Sequence, residues 1–316
     1  MYACGDGDGP DPMGTFFQEL SKQLAAKWVN LLALPGVLFT GLLWLAASLR
    51  QGNALSHAVA AQHGTRLTSA MAHLPGTTQA LLAALLLLMS SAVALVVRGG
   101  SGLVSRLWLG QWPRAFNRLS AALVRYRTKT AVSLDKNVDQ LQRDHPRVGR
   151  TPEQQQVIDE AAAARNRAVM ASTPARPTWM GDRMHAVERA ARDRYGLDVP
   201  FAWPRLWLVL PESVRGELDA ATSAYTAATI TGAWGIATVV VGILWWPSVI
   251  LGLVVLGTGW ARARLAIDGL STLAEAAIDL HSRTLAHALG IGDPAASGVL
   301  EEEEGELIND ILRKGR

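Results

Sequence analysis

Residues 220–261 read AATSAYTAATITGAWGIATVVVGILWWPSVILGLVVLGTGWA, a run of 42 residues without a formal charge. As one helix this run would extend about 63 Å, roughly twice the 30 Å hydrocarbon core of a bilayer. Trp245, Trp246 and Pro247 lie near its middle. Tryptophan favours the membrane–water boundary, and proline favours the first turn of a helix. The stretch therefore predicts a transmembrane hairpin that turns at these three residues.

Two further runs without Asp, Glu, Lys or Arg precede it, over residues 28–49 and 67–97. In the second, residues 79–97 are the apolar part. Both runs reach the roughly 20 residues that a membrane-spanning helix needs. The chain is therefore predicted to be mainly α, with four transmembrane helices in two hairpins and a helical cytoplasmic domain inserted between them.

The distribution of charge predicts the orientation. Seven basic residues and no acidic one follow the second predicted span, namely Arg98, Arg106, Arg114, Arg118, Arg125, Arg127 and Lys129. The loop over 50–78 carries only Arg50 and Arg66. Because basic flanks stay in the cytoplasm, both termini and the inserted domain are predicted to be cytoplasmic. Arginine outnumbers lysine 25 to 5, which favours a GC-rich bacterial source and hence the bacterial inner membrane.

These boundaries divide the chain into five predicted segments. They are a partly disordered cytoplasmic N-terminal segment (1–27), transmembrane hairpin 1 with its external loop 50–78 (28–98), a basic helical cytoplasmic domain (99–222), transmembrane hairpin 2 (223–265), and a cytoplasmic helical stalk with an acidic tail (266–316).

The seven basic residues of 98–129 have two interpretations. Trp108 and Trp112 lie among them, which predicts a helix over 103–112 at the inner headgroup layer. The favoured interpretation is an ordinary juxtamembrane anchor. The alternative is a binding surface for anionic lipid, a nucleotide or nucleic acid, because basic side chains neutralise phosphates.

Residues 176–211 are rich in tryptophan and proline. A helix is predicted over 181–194 and should end at Gly196, and another should begin at Pro211. Between them we expect a rigid, irregular structural plug packed by aromatic side chains. Its predicted members are Trp179, Tyr195, Trp203, Pro204, Arg205 and Trp207. The alternative is a ligand pocket in which Arg183, Arg205 and the tryptophans provide cation–π and stacking surfaces.

Part of this block carries a resemblance. Tyr195-Gly196-Leu197-Asp198, followed by Trp203-Pro204-Arg205-Leu206-Trp207 and Leu210-Pro211-Glu212, resembles a pattern in uncharacterised bacterial multi-pass membrane proteins. In those proteins the pattern directly precedes a hydrophobic hairpin, as it does here. The resemblance implies a multi-pass membrane protein and no biochemical activity.

The second hairpin has a face of small and hydroxyl side chains, formed by Thr222, Thr226, Thr229, Gly232, Gly235 and Gly242. Small residues let helices approach closely in lipid, so helix packing is the favoured interpretation. The alternative is a polar pathway, or pore, lined by the threonines in a homo-oligomer.

The last predicted span continues past the membrane as a helix over 262–289, which could pair with residues 211–222 in an antiparallel stalk. Asp268, Glu275 and Asp279 share one face of it. A solvated face is favoured there over a metal-binding acidic pair. The acidic tail that begins at Glu301 could fold back onto the basic juxtamembrane surface.

No phosphate loop, dinucleotide fingerprint or metalloprotease motif occurs, and no predicted span contains an acidic or basic residue. Intramembrane ionisable groups mark ion-coupled transporters and proton relays. The spacing of His57, His63 and His73 does not suit zinc. We therefore predict no enzyme activity, no catalytic residue, no metal and no cofactor.

Three functional hypotheses remain from the sequence. The leading one is a non-enzymatic oligomeric membrane effector or gated pore controlled by the cytoplasmic domain, with a role in bacterial stress or defence. The second is a scaffold that recruits a soluble cytoplasmic partner. The third is a membrane-tethered sensor of a phosphate-rich ligand or nucleic acid.

Overall fold

The computed structural model describes residues 33–168, 174–293 and 298–313, and every regular element within these ranges is helical. The prediction of a mainly α chain is therefore confirmed. The helices are α1 (Leu34–Leu49), α2 (His57–Ala72), α3 (Gly76–Trp108), α4 (Asn117–Asp144), α5 (Pro152–Ala168), α6 (Trp179–Tyr195), α7 (Val199–Val209), α8 (Glu212–Val241), α9 (Pro247–Ala288) and α10 (Glu302–Leu312). A short 3-10 turn, Arg114–Phe116, precedes α4.

Among the described helices, α3, α8 and α9 are long and apolar enough to cross a membrane. The α1 helix is apolar but has only 16 residues. The first predicted span began at residue 28, so its first residues lie outside the described ranges, as does the predicted segment 1–27. Thr151 and Pro152 predict the start of a helix that should end near residue 171. The α5 helix begins at Pro152, and the predicted end lies outside the described ranges as well.

The chain divides into two compact units. The hairpin unit comprises Met1–Ser101 and Ile230–Thr258, and the polar unit comprises Gly102–Thr229 and Gly259–Arg316. The α3, α8 and α9 helices contribute residues to both. Each unit has its own internal contacts.

In the hairpin unit, α8 and α9 pack backbone against backbone. A Cβ atom on Gly235 would lie 2.6 Å from the Leu256 amide nitrogen, and one on Gly252 would lie 2.6 Å from that of Val239. Only glycine allows this approach, because such distances are far below van der Waals contact. The same unit places Gly36 of α1 directly against the backbone of Ser90 in α3.

The turn of this hairpin lies where the sequence predicts it. The α8 helix ends at Val241, and α9 begins at Pro247. Proline suits this position because a backbone amide in the first turn of a helix has no partner within the helix. The Trp245 indole donates a 2.8 Å hydrogen bond to the Ala54 carbonyl. The Gln51 amide donates to the Gly242 and Ile243 carbonyls at 3.0 Å. The loop after α1 thus satisfies two carbonyls that follow the end of α8.

The core of the polar unit is formed where α6, α7, α8, α9 and α10 meet. Leu218 of α8 and Ile278 of α9 are almost fully buried in one apolar cluster. Both segments that the sequence predicts to pair in a stalk, 211–222 and 262–289, therefore contribute side chains to this core. Other members of this cluster are Val187, Leu197, Leu206, Leu285 and Ile308. The α4 and α5 helices pack against each other and are joined by the Arg165–Asp135 ion pair.

Three local predictions are wrong. The expected irregular segment around Trp203 is the helix α7, which contains Pro204 in its interior. Proline removes one backbone hydrogen bond from a helix, and burial of Ala202 and Leu206 in the core offsets that loss. Residues 103–108 are the last turns of α3 rather than a separate headgroup helix. The sequence pattern also predicts two helices over 114–132 and 134–143, but α4 continues through residue 133 without a break.

Candidate functional site

The start of α6 is fixed by polar contacts with α4 and the preceding loop. Thr178 caps the helix, accepting a 3.2 Å hydrogen bond from the Gly181 amide. Asp182 accepts hydrogen bonds from the amides of Ala175 and Arg176 at 2.7 and 2.6 Å. Arg127 of α4 pairs with Asp182 and donates to the Arg176 carbonyl at 2.7 Å. Arg127, predicted as part of a ligand surface, therefore anchors α6.

Arg183 of α6 contacts three side chains of α9. Its guanidinium donates to Asp268 at 3.3 Å, Glu275 at 2.8 Å and Thr272 at 3.1 Å. These acceptors are spaced four and three residues apart, which places them on one face of α9. The Arg183 side chain is only 11% exposed, whereas Asp268 and Glu275 are 48% and 37% exposed.

Asp268 and Glu275 on this α9 face are partly solvated, and both also bind one largely buried arginine, which the sequence does not predict. Within residues 33–168, 174–293 and 298–313, no group of three His, Cys, Asp or Glu side chains could hold a metal ion.

Tyr195 forms the next contact between the two helices, one turn further along α9. Its hydroxyl donates a 2.7 Å hydrogen bond to Asp279, and Arg194 lies 3.8 Å from the same carboxylate. Burial raises the pKa of Tyr195 above its ordinary value, and the hydrogen bond to Asp279 raises it further. The phenol is therefore protonated and a donor at neutral pH. We call Arg183, Tyr195, Asp268, Thr272, Glu275 and Asp279 the α6–α9 cluster.

The end of α6 is a glycine cap, as the sequence predicts. Gly196 has a φ of 62°, the left-handed conformation that glycine adopts without strain. Its amide donates to the Arg192 carbonyl at 2.9 Å, and the Leu197 amide donates to the Ala191 carbonyl at 3.3 Å. This paired arrangement closes the helix and directs the chain toward α7, with Leu197 buried in the core.

The α10 helix binds this cap. Asn309 accepts a 2.9 Å hydrogen bond from the Asp198 amide and donates one of 2.6 Å to the Gly196 carbonyl. Gly305 lies so close to the Tyr195 carbonyl that a Cβ atom would overlap the oxygen. Asp198 is 7% exposed and pairs with Arg192 and Arg313. The end of α6 is thus covered by the C-terminal helix.

A second ion pair holds α10 to α9. Arg283 donates to Glu304 at 2.6 Å and to the Val299 carbonyl at 2.6 Å. Both charged side chains are largely buried, at 12% and 16% exposure. The hypothesis that the acidic tail folds onto the basic surface over 98–129 is therefore wrong for α10, which packs on α6, α7 and α9 instead.

A cavity of about 390 Å³ opens beside the cluster, between α6, α7, α8 and α9. Trp203 and Trp207 form one wall, with ring centroids 6.4 Å apart. Leu218 and Leu270 also line it, and Glu188 is the acidic side chain of the lining. These tryptophans, predicted to be part of a solid plug, therefore line a space large enough for a small molecule.

The remaining plug residues do not all meet in this cavity. Arg264 lies 4.3 Å from the ring centroid of Trp179, in cation–π contact. Arg205 donates to the Phe201 carbonyl of its own helix and faces solvent. Pro204 lines the same cavity as Trp203.

The predicted basic surface divides into exposed and paired members. Those exposed to solvent are Arg98, Arg106, Arg114, Arg118, Arg125 and Lys129. Arg127 is the half-buried residue that binds Asp182.

The predicted threonine and glycine face of the second hairpin also divides. Thr222 and Thr226 are exposed, whereas Thr229 is 3% exposed. The three hydroxyls donate to the carbonyls of Leu218, Thr222 and Thr226 in their own helix. Gly232, Gly235 and Gly242 are buried.

Sequence reasoning missed the contacts that hold α10, chiefly those of Asn309 and Gly305 in α10 and of Arg283 in α9. One signal was present: Asn309 follows Ile308 on the apolar face of a short helix, and a polar residue there needs a buried partner. Nothing in the sequence pairs it with Gly196, which lies 113 residues earlier.

Comparison with protein-family models, with curated proteins and with solved structures finds no match to this chain.

Proposed function

We propose that this chain is an oligomeric multi-pass membrane effector that forms a gated pore, and that its polar unit controls its transmembrane hairpins. The observation that carries the proposal is that α8 and α9 each belong to both units. Leu218 of α8 and Ile278 of α9 are core residues of the polar unit. Gly235 of α8 and Gly252 of α9 make the close contacts of the hairpin unit. A rearrangement of the polar core would therefore act on both helices of the hairpin.

The proposed topology has four spans, with the first beginning near residue 28 and the others within α3, α8 and α9. Positive charge in the chain after α3 and at Arg262 and Arg264 favours a cytoplasmic polar unit with cytoplasmic termini. We place the protein in the bacterial inner membrane because arginine outnumbers lysine 25 to 5, which favours a GC-rich bacterial source.

The α6–α9 cluster is the proposed control element. Arg183 binds two half-exposed acids, so water and small ions reach its partners, and the pairing can be broken without exposing the apolar core. A ligand that enters the Trp203–Trp207 cavity would contact α6, α7, α8 and α9 at once. Such a ligand shifts the equilibrium only by its difference in affinity for the two arrangements.

The pore would be formed between copies of the chain. Thr222 and Thr226 are exposed on α8 and could line a shared pathway, whereas buried Thr229 could not. This narrows the candidate lining to two threonines.

Conductance of the full chain reconstituted into planar bilayers tests the proposal. We expect discrete currents that change when Thr226→Val removes an exposed hydroxyl. Thr258→Val is the matched control, since Thr258 is an exposed threonine of α9 that also bonds to its own helix. Absence of current under every condition, including with Arg183→Gln, would exclude the proposal that this chain forms a pore.

A second candidate, a scaffold for a soluble partner, is favoured by exposed apolar side chains of the polar unit. Leu208 and Leu280 are 76% and 74% exposed, and both lie outside the apolar run 220–261. A stoichiometric partner recovered with the native chain, lost with Leu280→Ser and accompanied by no ion flux, would favour the scaffold.

A further inference from the structure

The first half of α4 exposes two parallel stripes of different chemistry. Arg118, Arg125 and Lys129 are spaced seven and four residues apart and form an exposed basic stripe. Leu119 and Tyr126 are seven apart and form an adjacent apolar stripe. They are 51% and 69% exposed, so these apolar side chains have little cover within the described part of the chain.

The opposite face of α4 is packed. Ala131 is buried there, and Arg127 binds Asp182 of α6. The two exposed stripes therefore point away from the rest of the polar unit. They are not needed to hold α4 in place, because the packed face does so.

The stripes occur only where α4 lacks acid. No Asp or Glu lies between residues 98 and 134, and the first acid of α4 is Asp135. The second half of the helix contains Asp139 and Asp144, and its Leu134, Val138 and Leu141 are half-buried. Exposed apolar side chains are thus combined with unopposed positive charge in one half of a single helix.

This half of α4 follows closely on an aromatic pair typical of a membrane boundary. Trp108, the last residue of α3, meets Trp260 edge-on with ring centroids 5.5 Å apart. Trp260 lies one residue before the end of the uncharged run 220–261, and tryptophan favours the level of the lipid headgroups. The α4 helix begins nine residues after Trp108, and Phe116 just before it is 51% exposed.

We propose that the first half of α4 lies on the membrane surface and binds anionic lipid headgroups. Arg118, Arg125 and Lys129 neutralise the headgroup charges, while Leu119 and Tyr126 enter the boundary between headgroups and acyl chains. The exposed apolar stripe favours lipid over nucleic acid, because a phosphate backbone offers nothing for leucine to bury against. Arg127 and Asp182 connect this helix to α6, so lipid charge acts on the α6–α9 cluster.

The proposal rests on the membrane placement in the proposed function but not on a pore. It is tested with the full chain in nanodiscs of phosphatidylcholine, with or without phosphatidylglycerol. Cys4→Ser removes the single native thiol, and Ala122→Cys places a fluorophore beside the apolar stripe, where Ala122 is exposed. Lipids that carry a nitroxide near the headgroup report contact by quenching.

We expect strong quenching in the anionic nanodiscs, weaker quenching at high salt and little in phosphatidylcholine alone. Replacing Arg118, Arg125 and Lys129 by Gln should shift the docked-to-undocked ratio by about fivefold per residue, or about a hundredfold together. The matched control replaces Lys136, Arg143 and Arg147, three exposed basic residues beyond the stripe, and should leave quenching unchanged. Equal thermal midpoints would show that each variant is folded.

Two results would overturn the proposal. One is quenching that is the same in both lipids and in all variants. The other is absence of quenching together with binding of a duplex oligonucleotide that depends on the same three side chains. Neither result depends on conductance, so failure of the pore and failure of lipid binding are distinguishable.

Discussion

The hairpin unit and the polar unit differ in the kind of contact that holds the helices within each of them. In the hairpin unit, Gly235 and Gly252 bring the backbones of α8 and α9 into direct contact. In the polar unit, Arg183 and Tyr195 of α6 reach α9 through hydrogen bonds to half-exposed carboxylates. A close backbone contact leaves no room for an alternative arrangement of the two helices, whereas a partly solvated ion pair can open and re-form. Control of this molecule is therefore expected to belong to the polar unit.

Gly252→Val should have the largest effect and would disrupt the backbone contact of the hairpin unit. The new side chain must displace the Val239 backbone, and overpacking of this kind costs about 1–3 kcal/mol. We expect a lower thermal midpoint in detergent or nanodiscs. Gly257→Val is the control, because Gly257 lies on the same helix and a Cβ atom added there would have nothing within 4 Å. Equal midpoints for the two variants would contradict backbone contact.

Gly305→Ala should release α10 from the cap of α6. Its methyl group would overlap the Tyr195 carbonyl oxygen, so the hydrogen bonds of Asn309 would be lost, at about 1–3 kcal/mol for the strained contact. Amide hydrogen exchange over residues 302–312 should become faster. Gly216→Ala changes a helical position in the same unit with open space around it, so it should leave that exchange slow. Faster exchange in Gly216→Ala than in Gly305→Ala would exclude the contact between Gly305 and Tyr195.

Arg183→Gln should weaken the α6–α9 cluster while leaving the hairpin contacts intact. Its partners are 48% and 37% exposed, so solvent screening limits the loss of stability to about 1 kcal/mol. The larger consequence is functional: if the cluster holds the resting arrangement, open probability in bilayers should rise. Arg262→Gln, an exposed arginine of α9, serves as the control, and unchanged gating in Arg183→Gln would remove the cluster from the mechanism.

The weakest effect should be a pH dependence from Tyr195. Its pKa is raised in the folded protein, so its contribution is complete below the pKa of an unfolded tyrosine, near pH 10. That contribution is lost as the pH rises through the higher folded value. The native chain should therefore lose more stability above about pH 10 than Tyr195→Phe does in a urea titration. If stability falls with pH equally in the two proteins, the Tyr195 hydroxyl does not bind Asp279.

Local signals were sufficient for most of the helix boundaries. Gly196 ends α6 and Pro247 begins α9, because glycine and proline each restrict the backbone in a way that needs no distant partner. The prediction of an irregular segment at Trp203 is wrong, because it assumed that Pro204 would prevent a helix there. Tertiary burial of Leu206 reverses that local preference.

The candidate site was predictable only in part. Arg183 and the tryptophans were named as a ligand pocket only in the alternative to a structural plug, and Asp268, Glu275 and Asp279 were recognised as one helical face. That Arg183 binds Asp268 and Glu275 could not be derived, because 85 residues separate Arg183 from Asp268 and charge alone does not select among 30 Lys and Arg and 27 Asp and Glu.

Hydropathy, helix length and backbone restriction act within one segment, and they can therefore be read from the amino-acid sequence alone. They establish that this chain is helical, that long apolar helices form, and that one hairpin turns at Trp245-Trp246-Pro247. The remaining contacts required the folded molecule: Arg127 anchors α6, Arg183 binds α9, α10 covers the cap at Gly196, and Trp203 with Trp207 lines a cavity. Each of these arrangements joins segments that are distant along the chain, and no signal within a single segment specifies its partner.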